Sequence, residues 1–322
     1  MKGKPLMEKE LISVIVPCYN EQEVLPLFRE EILRVSSEMT QKHPHLEFEF
    51  LFINDGSRDK TLEILRDYSQ QDSRFRYVSF SRNFGKEAGM LAGLENSKGD
   101  YVVIMDADLQ HPPKLMSEMY EYVSSGEYDC AGTRRVSRKG EPKLLSFFSR
   151  SFYKVINKIS QTQIVDGAQD YRFMTRQMVD AILAMPEYNR FSKGIFSWVG
   201  FRTKYIEVEN TERAAGKTTW NFWKLFLYSL EGIFAFSTAP LALSVVISML
   251  LFILAIVFVI IAVVNSAEYL AIIAMVCLVG GLQLFCMGVQ SQYIAKTYME
   301  VKGRPKYIIG ETEEIYRKRK ER

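Results

Sequence analysis

Four short apolar stretches in the first third of the chain each end in a polar cluster. Residues 11–16 run into Pro17-Cys18-Tyr19-Asn20-Glu21, and residues 48–53 into Asn54-Asp55-Gly56-Ser57. Residues 77–80 run into Ser81-Arg82-Asn83, and residues 101–105 into Asp106-Ala107-Asp108-Leu109-Gln110. The stretches are rich in β-branched and aromatic residues, which predicts strands. Helical apolar spacing separates them at 22–39, 60–68, 86–95 and 113–123. Strands alternating with helices predict βαβ units and a mostly parallel sheet. A fifth strand is predicted at 128–132. In such a sheet all four polar clusters fall on one edge, at the carboxyl ends of the strands, where open α/β sheets bind ligands.

The later part of the chain changes the pattern. Residues 232–267 and 269–295 contain no Asp, Glu, Lys, Arg or His. Each stretch exceeds the ~20 apolar residues that cross a bilayer. Two spans, at about 240–264 and 269–293, are expected, joined by Asn265-Ser266-Ala267-Glu268 as a tight helical hairpin. Just before them, residues 220–236 are dense in Trp, Phe and Tyr, as in a helix lying in the headgroup plane. Lys and Arg are concentrated in the tail at 296–322 and missing from the hairpin tip. The positive-inside rule then places both ends in the cytoplasm. The polar start of the chain has no apolar core of a signal peptide.

Composition adds little to this division. The 322 residues carry a net charge of +3, and 25% are charged. That is an average soluble composition, unevenly spread. The length allows one large domain or two ordinary ones. The four cysteines lack metal-type spacing and read as free thiols in a reducing compartment.

Candidate chemistry lies in the clusters. Asp106 and Asp108, one residue apart at a strand end, can converge on a hard divalent cation, with Gln110 as a third oxygen donor. Mg2+ or Mn2+ suits such ligands and commonly shares them with phosphates. The same residues also suit a solvated strand-to-helix turn. Asp55 can accept hydrogen bonds from a nucleobase or ribose, although Asn-Asp-Gly-Ser is also an ordinary turn. Tyr19 can stack on a base and Glu21 can accept a hydrogen bond, while Asn20 and Glu21 also suit a helix start. Arg82 and Lys86 flank Gly85 and can neutralise a diphosphate or face solvent. The basic stretch 134–150 reads as a mobile loop entering a helix. A second polar patch surrounds Asp170 and Arg172.

These motifs together resemble the family-2 inverting glycosyltransferases. Within that family the chain is similar to the polyprenyl-phosphate hexose transferases, which include dolichol-phosphate mannose synthase and the bacterial bactoprenol glucosyltransferases. The resemblance covers nearly the whole chain. It is carried by Val16-Pro17-Cys18-Tyr19-Asn20-Glu21, Asn54-Asp55-Gly56-Ser57, Ser81-Arg82-Asn83-Phe84-Gly85-Lys86 and, most specifically, Asp106-Ala107-Asp108-Leu109-Gln110-His111-Pro112-Pro113. Gln169-Asp170-Tyr171-Arg172-Phe173-Met174 matches a motif usually written Gly-Asp-Phe-Arg-Leu-Met. Glu212-Arg213-Ala214-Ala215-Gly216-Lys217-Thr218 resembles the family's Arg-x-x-Gly-Glu-Ser/Thr element. Gln169 and Lys217 depart from the pattern, both near the expected acceptor site.

The resemblance implies an α/β GT-A fold, Rossmann-like with a mostly parallel sheet. An interfacial amphipathic helix and a two-helix transmembrane hairpin would follow it. The implied domains are a cytoplasmic glycosyltransferase domain at 1–215, a juxtamembrane helix at 216–238, two spans within 239–295 and a basic cytoplasmic tail at 296–322. The location implied is the cell membrane, multi-pass, with the catalytic domain and both termini cytoplasmic. The reaction implied is inverting transfer of a hexose from a nucleotide-sugar to polyprenyl phosphate, with UDP-glucose or UDP-N-acetylglucosamine favoured over GDP-mannose. Pro17, Tyr19, Glu21, Asp55, Lys86 and Asp106 would bind the donor. Asp106, Asp108 and Gln110 would hold Mg2+ or Mn2+. Asp170 would be the catalytic base or would orient the acceptor. Arg134, Arg150, Arg172 and Arg213 would grip the acceptor phosphate. Membrane and a homo-oligomer are implied as partners, and nucleic acid is not. A processive polysaccharide synthase, an inactive nucleotide-sugar scaffold and a glycerolipid acceptor remain as alternatives.

Overall fold

The computed structural model describes residues 8–135, 157–158, 165–208, 233, 237, 239–265 and 269–321, with side chains in the last two long helices described in part. The predicted alternation is present. The order is β1 (Glu10–Cys18), α1 (Leu25–Lys42), β2 (Leu46–Asn54), α2 (Thr61–Gln71), β3 (Phe75–Phe80), α3 (Lys86–Asn96), β4 (Tyr101–Ile104), α4 (Leu115–Ser124) and β5 (Cys130–Arg135). Then come β6 (Ala168–Thr175), α5 (Arg176–Leu183), α6 (Ser192–Trp198) and β7 (Thr203–Val208). The chain closes with α7 (Ala239–Asn265), α8 (Tyr269–Lys302), β8 (Ile309–Thr312) and α9 (Glu313–Lys320).

The strands form one sheet in the order β7-β5-β6-β4-β1-β2-β3-β8. The β4-β1-β2-β3 block is parallel, as is the β5-β7 pair, while β6 and β8 run antiparallel to their neighbours. The sheet is therefore mixed, in a GT-A-like α/β arrangement. The strands β1 to β4 are largely buried because period-2 side chains meet a helix layer on each side. Ile12, Val14 and Val16 share a core with Phe28, Ile32, Leu65, Met116 and Met119 from α1, α2 and α4. Ile15, Leu51, Ile53 and Val78 share the opposite core with Met90, Leu94, Val179 and Ile195 from α3, α5 and α6.

Two features of this topology build the site. Strand order reverses at β1, whose neighbours are β2 and β4, and ligand crevices open at such a point. The antiparallel β6 also pairs Arg172 with Ile104 of β4. Two residues further along each strand, in opposite chain directions, Asp170 and Asp106 come level.

The C-terminal segment, expected as a basic tail, adds β8 to the sheet edge beside β3. Two of its acidic residues anchor it. Glu311 accepts from Arg66 Nε and Nη2 at 2.8 and 2.9 Å and from the Tyr77 hydroxyl at 2.8 Å. Glu313 accepts from Arg76 Nε at 3.0 Å, and Arg76 also donates to Glu49 at 2.9 Å. An excess of Lys and Arg concealed these two carboxylates, whose partners lie far away in sequence.

Helices do form where the two spans were expected, and they lie against each other: Cys286 Sγ is 3.8 Å from Ser248 Oγ. The expected cell-membrane, multi-pass location with cytoplasmic catalytic domain and termini is nonetheless corrected. Among the described residues, no helix is long and apolar enough to cross a membrane. A crossing takes about 20 consecutive, mostly apolar residues. Helix α8 is interrupted by Gln283, Gln290, Ser291 and Gln292. The expected interfacial helix at 216–238 lies almost wholly outside the described residues.

Candidate functional site

The loops after β1 and β2 are laced together by side-chain-to-backbone hydrogen bonds. Asn20 N–H donates to Ser57 Oγ at 2.9 Å, and Arg58 N–H donates to Asn20 Oδ1 at 2.9 Å. Glu21 N–H donates to Thr61 Oγ1 at 2.9 Å. Asn20 has a left-handed backbone, with φ 58°, which Asn tolerates better than most residues. This lacing presents Tyr19 at the surface, 41% exposed. Pro17 pairs in register with Ile53 inside the sheet.

Asp55 is 5% exposed, and its carboxylate organises the loop after β3. Oδ1 accepts the Phe84 N–H at 2.6 Å, and Oδ2 accepts the Gly85 N–H at 2.9 Å. Burial raises its pKa, against the opposing pull of these amides and of Arg82. Gly56 permits the approach, because a Cβ there would lie 2.4 Å from the Arg82 carbonyl carbon. The loop ends at Gly85, with φ 97°, and releases Lys86 as the first residue of α3.

Lys86 Nζ lies 2.8 and 2.9 Å from the two oxygens of Asp106 and 2.8 Å from Asp170 Oδ2. Burial would lower the ammonium's pKa, but the two carboxylates overcome this and hold it above the ordinary range. Burial would likewise raise Asp170, yet Lys86, Lys193 and Arg172 hold it well below the usual carboxylate range. Asp170 is therefore ionised at neutral pH.

Asp106, Asp108 and His111 bring ligand atoms within 4.8 Å of one another. His111 is buried, its ring lies edge-on to Tyr171 at 5.9 Å, and neither ring nitrogen has a hydrogen-bond partner. A buried, unpartnered imidazole beside two carboxylates fits a divalent cation. His111 was missed as a donor in the sequence, although it follows Asp108 by three residues. The Gln110 N–H donates to Asp108 Oδ1 at 3.1 Å, which shapes this turn.

The arginines separate. Arg172 is 1% exposed, and its guanidinium carbon lies 4.5 Å from the Phe196 ring centroid and 5.7 Å from that of Tyr205. Its Nε and Nη1 have no partner. Arg134 is exposed on β5, while Arg150 and Arg213 lie outside the described residues. A further cation, Lys193 on α6, acts on Asp170. No motif marked it. It reaches the site because Glu87, next to Lys86, accepts the Ser192 N–H at 3.1 Å and ties α6 to α3.

Comparison with known proteins gives the class of this site. A model described as Glycosyl transferase family 2 matches residues 13–183. The chain is 40% identical over 312 residues to "Putative glycosyltransferase CsbB" of Bacillus subtilis (strain 168), covering 95% of this chain and 93% of that one. It is 38% identical over 305 residues to "Prophage bactoprenol glucosyl transferase homolog" of Escherichia coli (strain K12), covering 92% and 98%. Among solved structures, glucosyl-3-phosphoglycerate synthase from Mycobacterium tuberculosis in complex with Mn2+, UDP-glucose and phosphoglyceric acid aligns with TM-score 0.43 and 16% identity, covering 70% and 78%. The chain belongs to glycosyl transferase family 2 and is an enzyme, a glycosyltransferase.

Proposed function

We propose that this glycosyltransferase moves a hexose from a nucleotide-sugar to polyprenyl phosphate, with UDP-glucose or UDP-N-acetylglucosamine as donor and with inversion. Relatives over nearly the full length, in E. coli and in Shigella flexneri, carry the name bactoprenol glucosyl transferase. The observation that carries the reading is the level placement of Asp106 and Asp170 across the crevice, joined by Lys86. On this reading a donor-side carboxylate stands beside an acceptor-side one.

Tyr19, Glu21 and Pro17 border the nucleoside, and Asp55 holds the loop that delivers Lys86 to the diphosphate. Asp106 and Asp108, with His111 and Gln110 beside them, would hold Mg2+ or Mn2+, which supplies charge stabilisation for the leaving diphosphate. A phosphate oxygen of the acceptor forms a bond to the anomeric carbon as the bond to the diphosphate oxygen breaks. The acceptor needs little deprotonation, because a phosphate monoester with a second pKa of about 6 is mostly dianionic at neutral pH. An ionised Asp170 therefore orients the acceptor and its cationic partners. Arg172, Arg134 and Lys193, with Arg150 and Arg213, offset the repulsion between two anions.

The test is a donor screen. Protein in detergent with Mn2+ and undecaprenyl phosphate is offered radiolabelled UDP-glucose, UDP-N-acetylglucosamine or GDP-mannose. Label enters the organic phase with one UDP-sugar, and EDTA abolishes the transfer. No label from any donor, with nucleotide still bound, overturns the reading.

A further inference from the structure

We propose that Lys86 is a built-in competitor of the divalent cation, holding the Asp106 carboxylate until a nucleoside diphosphate draws the ammonium away. The inference rests on reading Asp106 and Asp108 as metal ligands. It goes beyond that reading by predicting how metal and donor binding are coupled.

The geometry is specific. The Lys86 ammonium touches both oxygens of Asp106, at 2.8 and 2.9 Å, as well as Asp170 Oδ2. A divalent ion bound to either Asp106 oxygen at about 2.0–2.6 Å would stand against that ammonium with like charge. At such separations in a partly buried site the repulsion is strong. Ammonium and ion therefore cannot both keep Asp106 in this arrangement. Asp108 and His111 bring further ligand atoms within 4.8 Å of Asp106.

Lys86 has somewhere to go. Its side chain is 40% exposed, and it emerges from a loop pinned by Asp55 at Phe84 and Gly85. The backbone stays fixed while the four-carbon stem carries the charge to a new partner. A diphosphate in the same site would supply anionic oxygens to replace the bonds given up at Asp106 and Asp170. Metal and diphosphate then favour each other's binding, because each stabilises the displaced lysine. Thermodynamic linkage makes this coupling reciprocal.

The experiment is Mn2+ titration followed by electron paramagnetic resonance, with and without UDP, on the full chain. Without nucleotide, Lys86→Met binds Mn2+ about tenfold tighter than wild type, since the competing charge is gone. Lys86→Gln, which still donates to carboxylates but is neutral, does the same and serves if the Met variant does not fold. Lys86→Arg keeps the weak wild-type affinity. UDP tightens Mn2+ binding in wild type by a larger factor than in Lys86→Met. Asp108→Asn abolishes Mn2+ binding in both backgrounds and leaves the free-ion signal, which locates the ion.

Equal or weaker nucleotide-free Mn2+ affinity in both neutral variants overturns the proposal. So does Mn2+ binding that survives Asp108→Asn. The nucleotide-free comparison involves no sugar and no acceptor, so it can fail while the donor screen succeeds, and the reverse.

Discussion

Asp55 accepts the backbone N–H of Gly85 at 2.9 Å, and its second oxygen takes the neighbouring Phe84 N–H. A residue expected to touch the nucleoside thus also fixes the loop that positions Lys86. Asparagine has only one acceptor oxygen and would present an NH2 group to the other amide. Asp55→Asn should lower stability by about 1–3 kcal/mol. It should also weaken donor binding, through misplacement of Lys86. Thermal unfolding and nucleotide titration check both effects, and unchanged unfolding would remove the loop-pinning role.

Asp170 and Asp108 should separate by what they impair. Asp170→Asn is expected to cut turnover by about 100-fold or more while nucleotide affinity stays within about twofold. Asp108→Ala should instead abolish Mn2+-dependent nucleotide binding. Steady-state rates and calorimetric titration read the two effects. Wild-type turnover in Asp170→Asn would remove that residue from the acceptor side.

Arg172 combines near-complete burial, an aromatic ring 4.5 Å from its guanidinium carbon and two unpartnered nitrogens. A planar guanidinium suits both an aromatic neighbour and a phosphate, and an ammonium suits neither equally. Arg172→Lys should raise KM for polyprenyl phosphate about tenfold and leave donor affinity unchanged. Initial rates at varied acceptor concentration test it. An equal loss on both substrates would make Arg172 a packing residue only.

The C-terminal strand should respond to acid. Burial pushes the Glu311 carboxyl up, but its bonds from Arg66 and Tyr77 outweigh this and leave it below its ordinary value of 4.5. A carboxyl depressed on folding contributes stability that is present above the unfolded value and lost as pH falls through the folded one. Wild type should therefore exceed Glu311→Gln by about 1–3 kcal/mol near neutral pH. The gap should close as the pH drops below 4.5. Denaturation curves across pH measure it, and a gap that does not vary with pH would refute the assignment.

The expected strands at 11–16, 48–53, 77–80, 101–105 and 128–132 all lie within or overlap β1 to β5. They were legible because strands buried on both faces make continuous apolar runs, and the polar residues that end them mark one sheet edge. The two long apolar helices were legible as helices for a similar reason. Their reading as membrane spans did not hold among the described residues. His111 and Lys193 were not legible as site residues: one lies hidden in a turn, and the other arrives from a distant helix.

The sequence by itself determined the alternating α/β layout, the edge on which the polar clusters gather and the family the motifs resemble, because these depend on local periodicity and short spacings. Only the tertiary structure decided that β6 inserts antiparallel beside β4, that Asp106 and Asp170 share one lysine, and that Glu311 and Glu313 bind the end of the chain into the sheet. Those pairings join residues far apart in the chain. Strand direction and register set them, and neither is written in the composition of any single segment.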